Sequence, residues 1–307
     1  MKRRIIFLLN PIAGTGNKSR IGRLIEKKLT AAEVDFEIYP TNGEGNYSAI
    51  RTKILHEGVT DIVVAGGDGT ISSVVHNLRD THVNFGLIPC GSGNGLAFCA
   101  GISKNPRRAI DLIFTGTPVL TDAFTINNNF SCMLSGLGFD AQVAHDFAKQ
   151  NRRGLLTYIR QTYSNFLKAT PYHFEISAND TPLFTEAFFI SIANSNQFGN
   201  RFTIAPKANL NDGLLDIVIV QKMNKPHMLL AVLRQIRMGK VNETHYKKEG
   251  IIYYQTKHLH IKNPDLAPLH IDGDPKPTAS SFDIRVVPDA FRLIRPSARR
   301  LAKNQSF

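Results

Sequence analysis

The residues able to do chemistry in this chain are carboxylates set among glycines. Asp68 stands in Gly66-Gly67-Asp68-Gly69-Thr70, directly after Ile62, Val63 and Val64. Those three read as a buried strand. Ile71, Val74, Val75 and Leu78 follow at i, i+3, i+4 and i+7, one face of a helix. Such a loop ends at a helix N-terminus, where backbone N–H groups and the helix dipole favour an anion. Glycines let a phosphate approach the main chain, and Asp68 could ligate a metal sharing its charge or accept a proton. The alternative is a tight packing turn in which Asp68 caps the helix that follows. Asp272 and Asp274 flank Gly273 in "HIDGDP", which reads either as an acidic pair or as a hairpin turn. Asp212-Gly213 in "NLNDGLLD" (209–216) is by default a turn, of an oxygen-rich kind that also binds hard cations.

The elements that must position these acids alternate in the first third of the chain. Ile5–Leu9 is a strand, residues 18–32 carry Ile21, Leu24, Ile25 and Leu29 at helical spacing, and "DFEIYP" is a second strand. Tyr47, Ile50, Ile54 and Leu55 mark another helix; "NFGLIP" follows the 62–78 strand and helix. This pattern predicts a mostly parallel sheet with helices on both faces. Ligands of such sheets bind beyond the carboxyl ends of the strands. There the chain places "NPIAGTGN" (10–17), "GGDGT" (66–70) and "PCGSGNG" (89–95), and three convergent Gly-rich loops favour phosphate binding. After about residue 118 many short strands predict an antiparallel sandwich or barrel-like domain, interrupted by helical segments near 140–168 and 225–238.

The 307 residues carry a formal net charge of +12. Anionic partners are therefore favoured, but the basic residues are dispersed without interleaved aromatics, so nucleic acid is not expected. Cys90, Cys99 and Cys132 form no C-x-x-C pair, and a reduced, cytoplasmic protein is expected. "MKRRIIFLLNP" is too short in its apolar run for a signal peptide and reads as a first strand. No stretch is long enough to span a membrane as a helix, so membrane contact would be peripheral. The amphipathic, basic segment 149–169 reads as a core-facing helix or as a membrane-contacting face. H-E-x-x-H, G-x-S-x-G, Walker A and Rossmann patterns are missing.

Taken in order, "NPIAGTG", "GGDGT", "PCGSGNGLA", "GLGFDA" (136–141), "ANSNQFGNRFTIAPKANLNDG" (193–213), "DGDP" and "VVPDAFRLIRP" resemble the bacterial lipid kinases of the diacylglycerol kinase and sphingosine kinase superfamily. The resemblance implies an α/β nucleotide-binding domain (1–122 with a returning segment 289–307) and a β-rich lipid-substrate domain (123–288). It implies ATP contacts at Asn10, Pro11, Ala13, Gly14, Thr41, Gly66, Gly67, Asp68, Gly69, Thr70, Ile71, Ser72, Ser92 and Asn94. Asp68 would serve Mg2+·ATP, and a second, structural Mg2+ would sit at Asp212 with the carbonyls of Asn209 and Leu214. The family's D-G-E motif falls on Asp272, Gly273 and Asp274, an acidic pair implied to deprotonate a lipid hydroxyl or organise the metal. Asp274 is one methylene shorter than the family's Glu. Gly95 stands where diacylglycerol-type members often have Asp, which leaves the acceptor open between glycerolipids and sphingoid-type lipids. NAD kinases share GGDGT and are the nearest alternative; a non-catalytic nucleotide-binding regulator is another, and a homodimer is open.

Overall fold

A computed structural model describes residues 3–12, 18–150, 162, 164–166, 168–178, 181–199, 202–226 and 250–297. The described chain divides into two compact units, one reaching Thr121 and resuming at Asp289, the other Asp122–Pro288.

The first unit follows the alternation read from the sequence: β1 (Arg4–Leu9), α1 (Lys18–Ala31), β2 (Asp35–Pro40), α2 (Ser48–Glu57), β3 (Asp61–Gly66), α3 (Asp68–Leu78) and β4 (Asn84–Pro89). Two short helices follow, α4 (Gly95–Cys99) and α5 (Pro106–Thr115). The strands pair in parallel in the order β2-β1-β3-β4. Ile5–Leu8 and Ile62–Ala65 are wholly buried, which is why they are continuous apolar runs rather than alternating ones. Ile21, Ile25 and Leu29 of α1, and Ile71, Val74, Val75 and Leu78 of α3, are buried in the core. α2 buries Ile50 and Ile54 but leaves Leu55 63% exposed, so Leu55 does not belong to the packing face expected for it. α5 is not anticipated by the sequence reading. Its local signals are an Asn105 side chain accepting from the Arg107 N–H, a proline in the first turn, and buried Ala109, Ile110 and Ile113.

The second unit begins within β5 (Thr117–Ile126) and continues through β6 (Asn129–Ser131), β7 (Leu134–Gly138), α6 (Phe139–Ala148), β8 (Tyr172–Ala178) and β9 (Thr181–Ala193). Then come β10 (Gln197–Gly199), β11 (Phe202–Thr203), β12 (Leu215–Gln221), β13 (Ile251–Thr256), β14 (His258–Lys262), β15 (Leu269–Ile271), β16 (Asp274–Lys276) and β17 (Ser281–Arg295). Its main ladder is antiparallel, β16-β15-β7-β9-β8-β14-β17. β9 is long enough to pair β8 along its first half and both β7 and β12 along its second. One face of these strands closes on a core that includes Phe124, Leu137, Phe174, Ile190, Ile217, Leu259, Leu269 and Phe282. β17 gives Ser281–Arg285 to this unit, against β14, and Arg292 and Leu293 to the first, in parallel with β4. Of the helical segment expected near 140–168, α6 covers the first part, while residues 151–161 and most of the segment expected near 225–238 lie outside the described residues.

Phe7 sits fully buried in β1, edge-on to Phe36 of β2 at 6.4 Å between ring centroids. Phe7→Ala should cost about 3–5 kcal/mol of stability, read as a lowered urea midpoint with an unchanged slope.

Candidate functional site

The parallel pairing brings the ends of β1, β3 and β4 level, since Leu9 stands beside Ala65 and Gly66 beside Pro89. Single backbone bonds extend the register one residue further. The Asn10 N–H donates to Ala65, Thr41 to Leu9 and Cys90 to Gly66, each at 2.9 Å. Asn10, Thr41, Gly66 and Cys90 therefore share one edge. The glycines there have a reason beyond a ligand. A Cβ on Gly91 would stand 2.6 Å from the Cα of Gly67, and one on Gly66 would stand 2.8 Å from the Cβ of Thr70. The second and third loops thus meet backbone to backbone.

Asp68 joins them. It begins α3, but its carboxylate accepts from the N–H groups of Gly95 (3.1 Å) and Leu96 (3.3 Å), the first residues of α4. It caps a helix, but not the one that follows it. Asn94, fully buried with φ +56°, accepts at Oδ1 from the Gly91 N–H (2.8 Å) and donates from Nδ2 to the Gly91 carbonyl (2.7 Å). Asn10 donates to the Thr70 hydroxyl at 2.7 Å and accepts from the Ile12 N–H. Asn10 and Asn94 thus use their amides to shape the loops.

An anion fits the start of α3. Its N-cap, Gly67, has no side chain with which to accept from the first-turn N–H groups. The buried Ser72 hydroxyl, one turn into α3, has no hydrogen-bond partner among the described residues. Gly69 and Thr70 are half-buried, Ile71 is buried, Ser92 is exposed on the third loop, and Pro11 is exposed on the first. Ala13 and Gly14 lie outside the described residues.

In the second unit Asp272 and Gly273 have φ of +51° and +83°, with Ile271 paired to Asp274 across them. Two successive positive φ values make a type I′ hairpin. The Asp272 carboxylate is 95% buried and accepts from the Ser131 hydroxyl (2.7 Å) and the N–H groups of Cys132, Met133 and Leu134 at 3.1–3.2 Å. Those bonds explain why "FSCMLSGLG", expected as one strand, is two. The N–H groups at the break turn toward a carboxylate instead of a neighbouring strand. Asp274, one residue beyond Gly273, is exposed.

The Asp212-Gly213 turn is held by a residue the sequence reading did not single out. Asp122, buried, accepts from the Gly213 N–H at 2.7 Å, and its own N–H donates to the Leu210 carbonyl. Asp212 accepts from the Leu214 N–H at 3.1 Å. Partial shielding by the surrounding chain raises the Asp212 carboxyl above its usual range; the Leu214 N–H opposes that, and the Asp122 charge adds to it. A turn that carries one carboxylate within the electrostatic reach of another is of the kind that suits a hard cation. Among the described residues no three or more His, Cys, Asp or Glu side chains gather as a metal-ligating group, so a cation here would depend on Asp212 with main-chain carbonyls such as those of Asn209 and Leu214. No helix among the described residues is long and apolar enough to cross a membrane.

Comparison with known proteins matches residues 4–126 to the diacylglycerol kinase catalytic domain. Residues 134–295 match the YegS C-terminal NAD kinase beta sandwich-like domain. The diacylglycerol kinase of Bacillus subtilis is 25% identical over 280 residues, covering 89% of this chain and 90% of its own length. A diacylglycerol kinase of Mycobacterium tuberculosis is 25% identical over 305 residues, 95% of each chain. The crystal structure of a diacylglycerol kinase from Bacillus anthracis superposes with a TM-score of 0.74 at 19% identity, over 96% of this chain and 98% of the other.

Asp216 provides a pH test of this region. Fully buried on β12 beside Tyr253 and Gln255, its carboxyl is pushed up to about 6, first by burial and further by Asp212. The folded state then holds a proton that the unfolded chain releases near pH 4. That contribution is present below about pH 4 and is lost as pH rises through about 6, amounting to about 2–3 kcal/mol. Asp216→Asn should flatten this fall, so its stability relative to wild type rises between pH 4 and 7 in thermal melts.

Proposed function

The chain belongs to the diacylglycerol kinase catalytic domain family, with the YegS-type C-terminal β-sandwich, and from that premise we propose that it transfers the γ-phosphoryl group of ATP to a lipid hydroxyl. The observation that supports this reading best is the shared edge of the first unit, where Asp68 ties two glycine loops together beside the uncapped start of α3. Phosphoryl transfer asks for little covalent machinery, mainly positioning, charge neutralisation and a base near the attacking hydroxyl. The N–H groups opening α3 and the Ser72 hydroxyl suit the triphosphate. Asp68 would hold Mg2+ with the nucleotide, and Asp212 with the Asn209 and Leu214 carbonyls a structural one; bound Mg2+ supplies charge neutralisation at the phosphates.

In the step itself the lipid hydroxyl oxygen forms a bond to the γ-phosphorus. The bond from that phosphorus to the β–γ bridging oxygen breaks, and ADP leaves. The hydroxyl proton goes to a carboxylate. Of the two acids in the Asp-Gly-Asp turn, Asp274 suits that role because it is exposed. Asp272 is buried and already accepts four hydrogen bonds, which suits it to hold the turn. The acceptor is a glycerolipid or a sphingoid-type lipid, met at a membrane surface.

The test is γ-labelled ATP and Mg2+ with mixed micelles of total lipid extract, and NAD in a parallel tube. A labelled lipid is the expected product, and its identity names the acceptor. Label on NAD alone would replace the reading with an NAD kinase; ATP binding without transfer would make the chain a nucleotide-binding regulator. Asp68→Ala should abolish transfer while circular dichroism stays that of the wild type, and full activity in that variant sinks the assignment. Gly91→Ala, which must push the third loop off Gly67, should weaken ATP binding by about tenfold, or about 1.4 kcal/mol, as read by equilibrium binding.

A further inference from the structure

The phosphate loops make no use of "GLGFDA" (136–141), and its residues surround a buried pair. Gly136 on β7 lies directly across from His270 on β15. A Cβ on Gly136 would stand 1.9 Å from Asp140 Oδ2 and 2.7 Å from His270 Nε2, so the missing side chain is the space in which the two meet. Asp140 Oδ2 and His270 Nε2 are 3.4 Å apart, with side chains 9% and 4% exposed. Asp140 belongs to the first turn of α6, and its other oxygen accepts from the Ala141 N–H at 2.8 Å. α6 can start this close to the sheet because Gly138 has φ +96°, and a Cβ there would stand 2.5 Å from the Phe188 carbonyl oxygen. One turn further along, His145 donates from Nε2 to the Leu269 carbonyl at 2.8 Å. The helix therefore grips β15 at two successive residues.

The ring of His270 passes that grip on to the Asp-Gly-Asp turn. Its Nδ1 accepts from the Gly273 N–H at 3.3 Å. An N–H donor makes Nδ1 the unprotonated nitrogen, so the ring proton lies on Nε2, facing Asp140. The turn is thus held from two sides, at Asp272 by the donors of residues 131–134 and at Gly273 by His270. Two consecutive residues with positive φ are costly unless their surroundings hold them, Asp272 above all because it is not glycine. His270 is only 3% exposed, which suits it to a supporting place behind the turn.

We propose that Asp140 and His270 are positioning residues, a buried pair that fixes the His270 tautomer and through the Gly273 N–H sets the direction in which Asp274 leaves the turn. The proposal rests on the reading of Asp274 as the proton acceptor. It assigns to "GLGFDA" a task in aiming a carboxylate, with Gly136 as the residue that makes room.

The test has two arms. In the first, the full chain labelled with 15N-histidine is studied by NMR near neutral pH, together with amide exchange at Gly273. The expected result is a His270 ring protonated on Nε2 and bare at Nδ1, with a slowly exchanging Gly273 amide. In His270→Leu that protection is lost, and in His270→Asn, whose side-chain oxygen can stand near the position of Nδ1, it returns. In the second arm, His270→Leu lowers kcat for lipid phosphorylation by about 100-fold with the KM for ATP unchanged, and His270→Asn recovers most of it. A ring protonated on Nδ1, or equal Gly273 protection in the leucine variant, overturns the proposal. So does a leucine variant that keeps the wild-type kcat, or an asparagine variant that folds but recovers nothing. If the wild-type chain phosphorylates no lipid, the kinase reading fails, and the NMR arm still decides whether the pair holds the turn.

Discussion

Two backbones that meet with no side chain between them set the geometry of the first unit's loop edge. Gly91 lies so close to Gly67 that one added carbon would stand 2.6 Å from the neighbouring Cα. This contact lets the short Asp68 carboxylate, rooted at the start of one helix, reach the first N–H groups of another. Moving the loops apart by a methyl radius would take bonds of 3.1 and 3.3 Å beyond hydrogen-bonding distance. Asn94 then folds its own loop by bonding both backbone groups of Gly91, and Asn10 ties the first loop to Thr70. Glycine at these places is a packing requirement first. The start of α3 is left without a side-chain cap, since Gly67 has none to offer and Asp68 bonds to α4.

The second unit works with the opposite device, a carboxylate taken into the interior. Burying the Asp272 charge costs several kcal/mol unless donors replace its water, and here a hydroxyl and three backbone N–H groups do so. The donors come from the break between β6 and β7, so the acid that shapes the hairpin also ends one strand and starts the next. Asp274, a carboxylate two residues away, stays in solvent. Two neighbouring acids are thereby put in opposite surroundings, one bonded in the interior and one exposed. The same separation recurs around 209–216, where buried Asp122 holds the turn and Asp212 is exposed on it.

Where the sequence reading departed from the structure, the cause was a contact from a distant part of the chain. Leu55 has the spacing of a packing residue, but α2 needs only Ile50 and Ile54 inward, and the fourth position of the stripe faces water. The 130–138 run has the composition of one strand, and is divided by an acid about 140 residues later. The sequence offers Asp68 as a cap for the helix that follows it, and its carboxylate bonds to another helix instead. The helix it caps starts 27 residues further on, which no local pattern encodes.

The sequence by itself determined the alternating first unit, the antiparallel β-rich second one and the loops between them. Burial on both faces demands unbroken β-branched runs, a helix shows its period, and Asp-Gly or Gly-Gly restricts a turn within a few residues. These are local consequences of backbone geometry. Only the tertiary structure decided which acid is held and which is exposed, that Gly136 makes room for Asp140 and His270, and that Asp122 anchors Gly213. The partners in these contacts are 91 and 130 residues apart for the hydrogen bonds. Hydrogen bonds of that kind depend on strand register and on where a helix begins, and those are settled only when the whole unit has packed.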